Sequence, residues 1–164
     1  MPLASSKSCK RGAIVERALD SLEQARVFFA QAPFVVDLGI EPTALAEGRC
    51  ETRLALQPRH LQHTGQVHAG VVTTLADHTA GAAAQSTLPA GSFAITAELK
   101  ISLLRATRGR LLTCRGLVIK AGRALVFTES EVHAHDDGRA EPVLVAKLSA
   151  TMAVVQASSA GKTA

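Results

Sequence analysis

The chain has 164 residues, 47% hydrophobic and 20% charged, which suits one globular domain with a real core and excludes a disordered chain. Its net charge is +4, but with no Trp, no Tyr and only five Phe it is poorly equipped to stack on single-stranded nucleic acid. No apolar run is long enough to span a bilayer, and three cysteines without a CxxC spacing point to a reduced, cytoplasmic protein.

The opening MPLASSKSCKRG is basic but no apolar segment follows it, so no signal peptide is expected and residues 1–12 read as a flexible N-terminus. Over residues 14–32, Ile14, Ala18, Leu22, Ala25 and Phe29 recur at three and four, the spacing of a helix that Pro33 should stop. Residues 47–57 alternate, with Cys50, Thr52, Leu54 and Leu56 on one face of a strand. Residues 68–86 are nearly uncharged and form the second helix. Residues 92–103 then alternate, placing Phe93, Ile95, Ala97, Leu99, Ile101 and Leu103 on what should be the buried face of a strand. Residues 111–120 and 123–135 flank Ala121-Gly122 as a hairpin, and 143–155 form a last strand with Leu144, Ala146, Leu148, Ala150, Met152 and Val154 on one face. Residues 13–156 thus make a single α+β domain, followed by a flexible tail at 157–164. Strands with one apolar face each, around one almost uncharged helix, pack most economically as a curved antiparallel sheet wrapped about that helix.

The stretch QHTGQVHAGVVTTLADHTAGAAA, residues 62–84, carries one carboxylate, Asp77. On a helical wheel Val71, Val72, Leu75, Thr79, Ala82 and Ala83 form the stripe that should meet the sheet. Asp77 lies opposite, among Thr73, Ala80, Gly81 and Ala84. Such a position faces an interface or a pocket, where desolvation raises a carboxylate's pKa; a structurally satisfied buried acid fits the wheel equally well. At the helix start, Gly65 permits a tight turn, and Ala69 and Gly70 leave N–H donors open at the positive end of the dipole. Those donors suit a carbonyl oxygen gaining charge, although a glycine-rich helix entry is also ordinary.

HTGQVHAGVVTTLAD resembles the pattern HxGxxHGGxxxxLxD of the hotdog-fold acyl-CoA thioesterases, in particular the PaaI-like branch associated with phenylacetate degradation. ITAELKISLLRAT and VIKAGRALVFTESEV resemble that branch's next strand and hairpin, so the likeness covers roughly residues 33–155. It implies hydrolysis of acyl-CoA thioesters, with aryl or medium-chain acyl groups, by a hotdog domain that carries an extra N-terminal helix. The backbone N–H of Ala69 and the side chain of Gln62 would hold the substrate carbonyl. Asp77 would attack it or activate water. His68 matches the motif histidine, Gly70 the second motif glycine and Thr96 a strand hydroxyl that orients water in some members. Two departures stand out: HAG replaces HGG, and Gly81 stands where some members carry a hydroxyl one turn beyond the acid.

Eight residues of helix rise about 12 Å, too far for one thioester group to touch both the Ala69 N–H and Asp77 of the same chain. The two halves should therefore come from different subunits of a two-fold dimer with antiparallel helices. The family resemblance adds the expectation of a dimer of dimers. No acid lies between Glu98 and Glu129, a span with seven basic residues. Of these Arg105, Arg108 and Arg123 are candidates for the phosphates of coenzyme A, which is part of the substrate; no separate cofactor is expected. Nucleic-acid and membrane partners are not expected either. No metal is expected, since His60, His63, His68, His78, His133 and His135 match no HExxH, and the absence of GxSxG argues against a serine hydrolase. Two alternatives stay open. A non-catalytic acyl-CoA-binding module would not need Asp77. A hotdog hydratase would pair Asp77 with His68 or His78.

Overall fold

The structure is a computed structural model and describes residues 21–136, 138 and 140–156. Residues 1–20 and 157–164, with the expectations attached to them, lie outside the described residues. Helix α1 is Ser21–Ala30 and a short α2 is Pro33–Leu38. Pro33 does end the first helix, but it also opens the second, at a first-turn position where a missing N–H costs nothing. Gly39, with φ +83°, closes α2 by accepting the left-handed conformation that a helix cap requires.

Six strands follow: β1 Ile40–Ala46, β2 Arg49–Ala55, β3 Ser92–Leu103, β4 Leu111–Ala121, β5 Leu125–His135 and β6 Val143–Gln156. Helix α3, Ala69–Gln85, connects β2 to β3. All pairings are antiparallel, in the order β1-β2-β4-β5-β6-β3. β1 escapes the sequence reading because Pro42 interrupts a short, weakly alternating run. A proline is tolerated there because β1 is an edge strand, and its register shifts between Pro42 and Ala44.

The sheet curves around α3, which touches every strand. Cys50, Thr52 and Leu54 of β2, Leu112 and Cys114 of β4, Val126 to Ala134 at alternate positions of β5, and Ala146, Leu148 and Met152 of β6 all face it from the buried side. Gly116 lets the helix come this close: a Cβ there would lie 2.8 Å from the carbonyl oxygen of Thr79. Polar groups in this contact pair with each other. The Thr52 and Thr79 hydroxyls lie 2.7 Å apart, and Ser130 Oγ donates to the Ala76 carbonyl at 2.9 Å.

β3 departs from its expected facing. Its pairing with β6 shifts register between Thr96 and Glu98, a bulge at Ala97 that reverses the alternation. Before the bulge Ser92, Ala94 and Thr96 turn toward α3, while Phe93 and Ile95 are 49% and 54% exposed. The small-residue face of α3 is also divided: Ala80 and Ala84 are fully buried within the chain, and Thr73, Asp77 and Gly81 stay half-buried. Among the described residues no helix is long and apolar enough to cross a membrane.

Candidate active site

The approach to α3 is a tight turn. Leu61 and Val67 pair across it, the Gly65 N–H donates to the Gln62 carbonyl at 2.9 Å, and Gly65 has φ +74°. The Val67 N–H donates to the Thr107 carbonyl, tying the turn to the segment after β3. His68 then caps the helix: its Nδ1 accepts the Gly70 N–H at 2.9 Å, which leaves the proton on Nε2. The Gly70 donor is thereby occupied, and a Cβ on Gly70 would press to 3.0 Å from the His68 ring. The exposed Ala69 N–H, one of the helix's orphan donors, meets no acceptor among the described residues.

Gln62, Ala69, Leu103, Leu104 and Arg105 line one cleft of about 260 Å³. Gln62 spends one amide hydrogen on Thr64 Oγ1 at 3.0 Å, so the other is available at the cleft. The cleft thus assembles two neutral donors, at the positive end of a helix dipole. Arg105 is exposed and donates to the Leu144 carbonyl at 2.7 Å, and with Arg108 it lines an adjoining cleft. Arg123 does not join them. It sits in the β4–β5 turn, at the opposite end of strands that run about 33 Å.

Asp77 lies two turns further along α3, outside this cleft. Thr96 Oγ1 donates to its Oδ1 at 2.9 Å. Burial pushes the Asp77 carboxyl above its ordinary range, and the Thr96 hydrogen bond partly opposes that push. Sequence spacing separates these residues by 19 positions; the bulge at Ala97 and the return of β3 along α3 bring them together. The chain therefore places two polar groups of residues on one helix, hydrogen-bond donors at its start and an acid at its middle.

The neighbouring histidine does not pair with Asp77. The His78 ring stacks on Phe28, with centroids 5.3 Å apart, and meets Phe29 edge-on at 4.4 Å; burial lowers its pKa to about 4. Cys50 and Cys114 are buried thiols held at about 12, without nucleophilic character at neutral pH. No group of three His, Cys, Asp or Glu side chains among the described residues is placed to hold a metal. The sequence reading passed over Gln85. It lies at i+8 from Asp77, on the same side of α3, and its amide bridges to β3 by donating to the Ser92 carbonyl and accepting the Ala94 N–H. The i, i+4, i+8 spacing of Asp77, Gly81 and Gln85 was the available signal.

Residues 64–141 match the family model described as the thioesterase superfamily. The Halobacterium salinarum protein named "Putative esterase VNG_1336C" is 31% identical over 114 residues, covering 66% of this chain and 76% of that one. The solved structure of a thioesterase family protein from Silicibacter pomeroyi is 30% identical, with a TM-score of 0.78 over 82% of this chain and 97% of that one. The PaaI protein from the phenylacetic acid degradation operon of E. coli shares the fold, with a TM-score of 0.71 over 82% of this chain and 93% of that one, at 19% identity. With six antiparallel strands curved around α3, and with these relatives, the chain is a hotdog-fold protein that belongs to the thioesterase superfamily.

Proposed function

We propose that the protein hydrolyses acyl-CoA thioesters to a free acid and coenzyme A, as a PaaI-like member of its superfamily. The observation that carries this reading is the half-buried, Thr96-bonded Asp77, placed eight residues along the same helix from the exposed Ala69 N–H beside Gln62. In this reading the Ala69 N–H and the Gln62 amide donate to the thioester oxygen and strengthen as it gains negative charge. The carboxylate comes from Asp77 of the partner subunit, because about 12 Å of helix separates it from Ala69 of its own chain. As a base, Asp77 takes a proton from water, the hydroxide adds to the carbonyl carbon, and collapse expels the thiolate, which regains the proton. As a nucleophile, it adds to the carbonyl carbon and expels the thiolate, leaving an anhydride that water then opens to the free acid and the Asp77 carboxylate, the released proton going to the thiolate. Label found in the Asp77 carboxylate after a single turnover in ¹⁸O-water identifies the anhydride route, since it enters there when water opens the anhydride at the Asp77 carbonyl.

Arg105 and Arg108 flank the donor cleft and are the proposed partners of the coenzyme A phosphates. Arg123 enters only if the second subunit brings its β4–β5 turn to the same ligand. The dimer draws support from β3, an edge strand that leaves Phe93, Ile95, Leu99 and Leu103 exposed. A panel of acyl-CoA esters assayed for released thiol tests the function. Turnover should need no added metal and should survive a chelator. Tight binding with no thiol release from any ester would replace hydrolysis by simple binding.

A further inference from the structure

Beyond Asp77, a second cavity of about 370 Å³ opens between the C-terminal turn of α3, the loop leading to β3, and α1. Its apolar wall is Phe28, Leu45, Ala82, Leu88 and Phe93, and none of the described residues that line it is charged. Its three polar side chains are already spent. Gln85 gives both ends of its amide to the backbone of β3. Ser86 Oγ accepts the Gly48 N–H at 2.8 Å and donates to a carbonyl of its own helix, that of Ala83, at 2.7 Å. Ser92 Oγ accepts from Gln156 Nε2 at 3.0 Å. With each of these side chains tied to the protein, the cavity presents mainly methylenes and rings, and burial of hydrocarbon is the main binding free energy it can supply.

Helix α3 and strand β3 both lead from the acid to this cavity: Gln85 follows Asp77 by eight residues on α3, and Ser92 and Phe93 precede Thr96, the partner of Asp77, on β3. Gly81 stands one turn beyond Asp77, and a Cβ there would meet nothing within 4 Å, so no neighbouring atom crowds α3 at that turn. Ala82 and Gln85, on the cavity wall, lie about 7.5 and 12 Å along the helix axis from Asp77. An extended acyl chain gains about 1.3 Å per carbon from staggered C–C bonds. A chain of roughly eight to ten carbons therefore spans the distance, whereas a ring attached one carbon from the carbonyl stops short of it.

We propose that this cavity is the acyl subsite, on the subunit that supplies Asp77, and that the substrates are straight medium-chain acyl-CoA esters. This rests on the thioesterase reading and narrows it from aryl or alkyl groups to alkyl chains. The glycine at position 81 follows from the same geometry, since a side chain there would stand in the path of the acyl chain.

The test compares butyryl-, octanoyl-, decanoyl- and phenylacetyl-CoA with wild type, Ala90→Trp and Phe28→Ala. Ala90 is an exposed residue at the cavity rim, so the indole fills the cavity without disturbing the core. Wild-type kcat/KM should rise from butyryl- to decanoyl-CoA and exceed that for phenylacetyl-CoA. Ala90→Trp should lower the octanoyl and decanoyl values about ten- to a hundredfold, the effect of leaving a few methylenes in water, with butyryl-CoA within about twofold of wild type. Phe28→Ala should move the optimum to longer chains. Calorimetric binding of the non-hydrolysable butyl and decyl thioethers of coenzyme A gives a readout without turnover. Tighter binding of the decyl thioether, lost in Ala90→Trp, supports the subsite even if no ester is hydrolysed, an outcome that would sink the thioesterase reading alone. A flat chain-length profile with equal thioether affinities, or an equal loss for butyryl and decanoyl esters in Ala90→Trp, overturns the subsite.

Discussion

Asp77 is held in tension between two neighbours: burial resists its charge, and the Thr96 hydroxyl favours it. A folded pKa above the unfolded value means that the native state keeps the proton more tightly than the unfolded chain. Stability is then lost as pH rises from the usual carboxylate range through the folded pKa. Asp77→Asn removes that loss while keeping an oxygen to accept from Thr96. At neutral pH its unfolding midpoint should lie above that of wild type, while thioester turnover falls about 10²–10⁴-fold. Near-normal turnover in the folded variant would return Asp77 to a structural role. Thr96→Val takes away the group that lowers the Asp77 pKa. The acid limb of its kcat/KM profile should move to higher pH than in wild type, as read by a pH–rate series. An unmoved limb would detach Thr96 from the titration of the acid.

Helix α3 lies against the sheet at a distance set by a missing side chain. Gly116 faces the backbone of Thr79 and Ala80, and a methyl group there would have to push the whole helix outward. Gly116→Ala should cost about 1–3 kcal/mol, the usual range for overpacking, measured by denaturant unfolding. Wild-type stability in that variant would show that the helix yields more easily than the packing implies. The strands of the sheet's middle were legible because their apolar faces alternate without interruption, as in Cys50, Thr52 and Leu54. β3 was legible as an element but not in its facing. Its alternation runs cleanly from Phe93 to Leu103 in sequence, yet a single extra residue at Ala97 turns the first half over.

For the whole molecule, the donors and the acid on one helix lead to an expectation about assembly. Gln62→Ala removes one carbonyl donor, a loss of about 10²–10³-fold by comparison with other oxyanion-type sites. Asp77→Asn removes the acid. If each site takes Gln62 from one subunit and Asp77 from the other, a mixed dimer has one site with both defects and one with neither. Random exchange makes about half the dimers mixed in a two-fold assembly, so the mixture should recover roughly a quarter of wild-type activity. If exchange is verified by mass and the mixture stays as inactive as its parents, Asp77 acts within its own chain.

Local chemistry along the chain settled a good deal before any fold was known. The uncharged helix with its single acid, the glycine turn before it and the alternating strands follow from periodicities that depend on a few neighbouring residues. What the tertiary structure alone decided depends on contacts between distant segments. Thr96 reaches Asp77 because β3 doubles back along α3. Gln85 spends its amide on that same strand, and Phe28 crosses from α1 to cover His78. Arg105 and Arg123, only 18 positions apart, end at opposite ends of the sheet because β4 runs between them. Side-chain periodicity carries no information about which far segment a face will meet, since that is set by sheet order, register and one bulge.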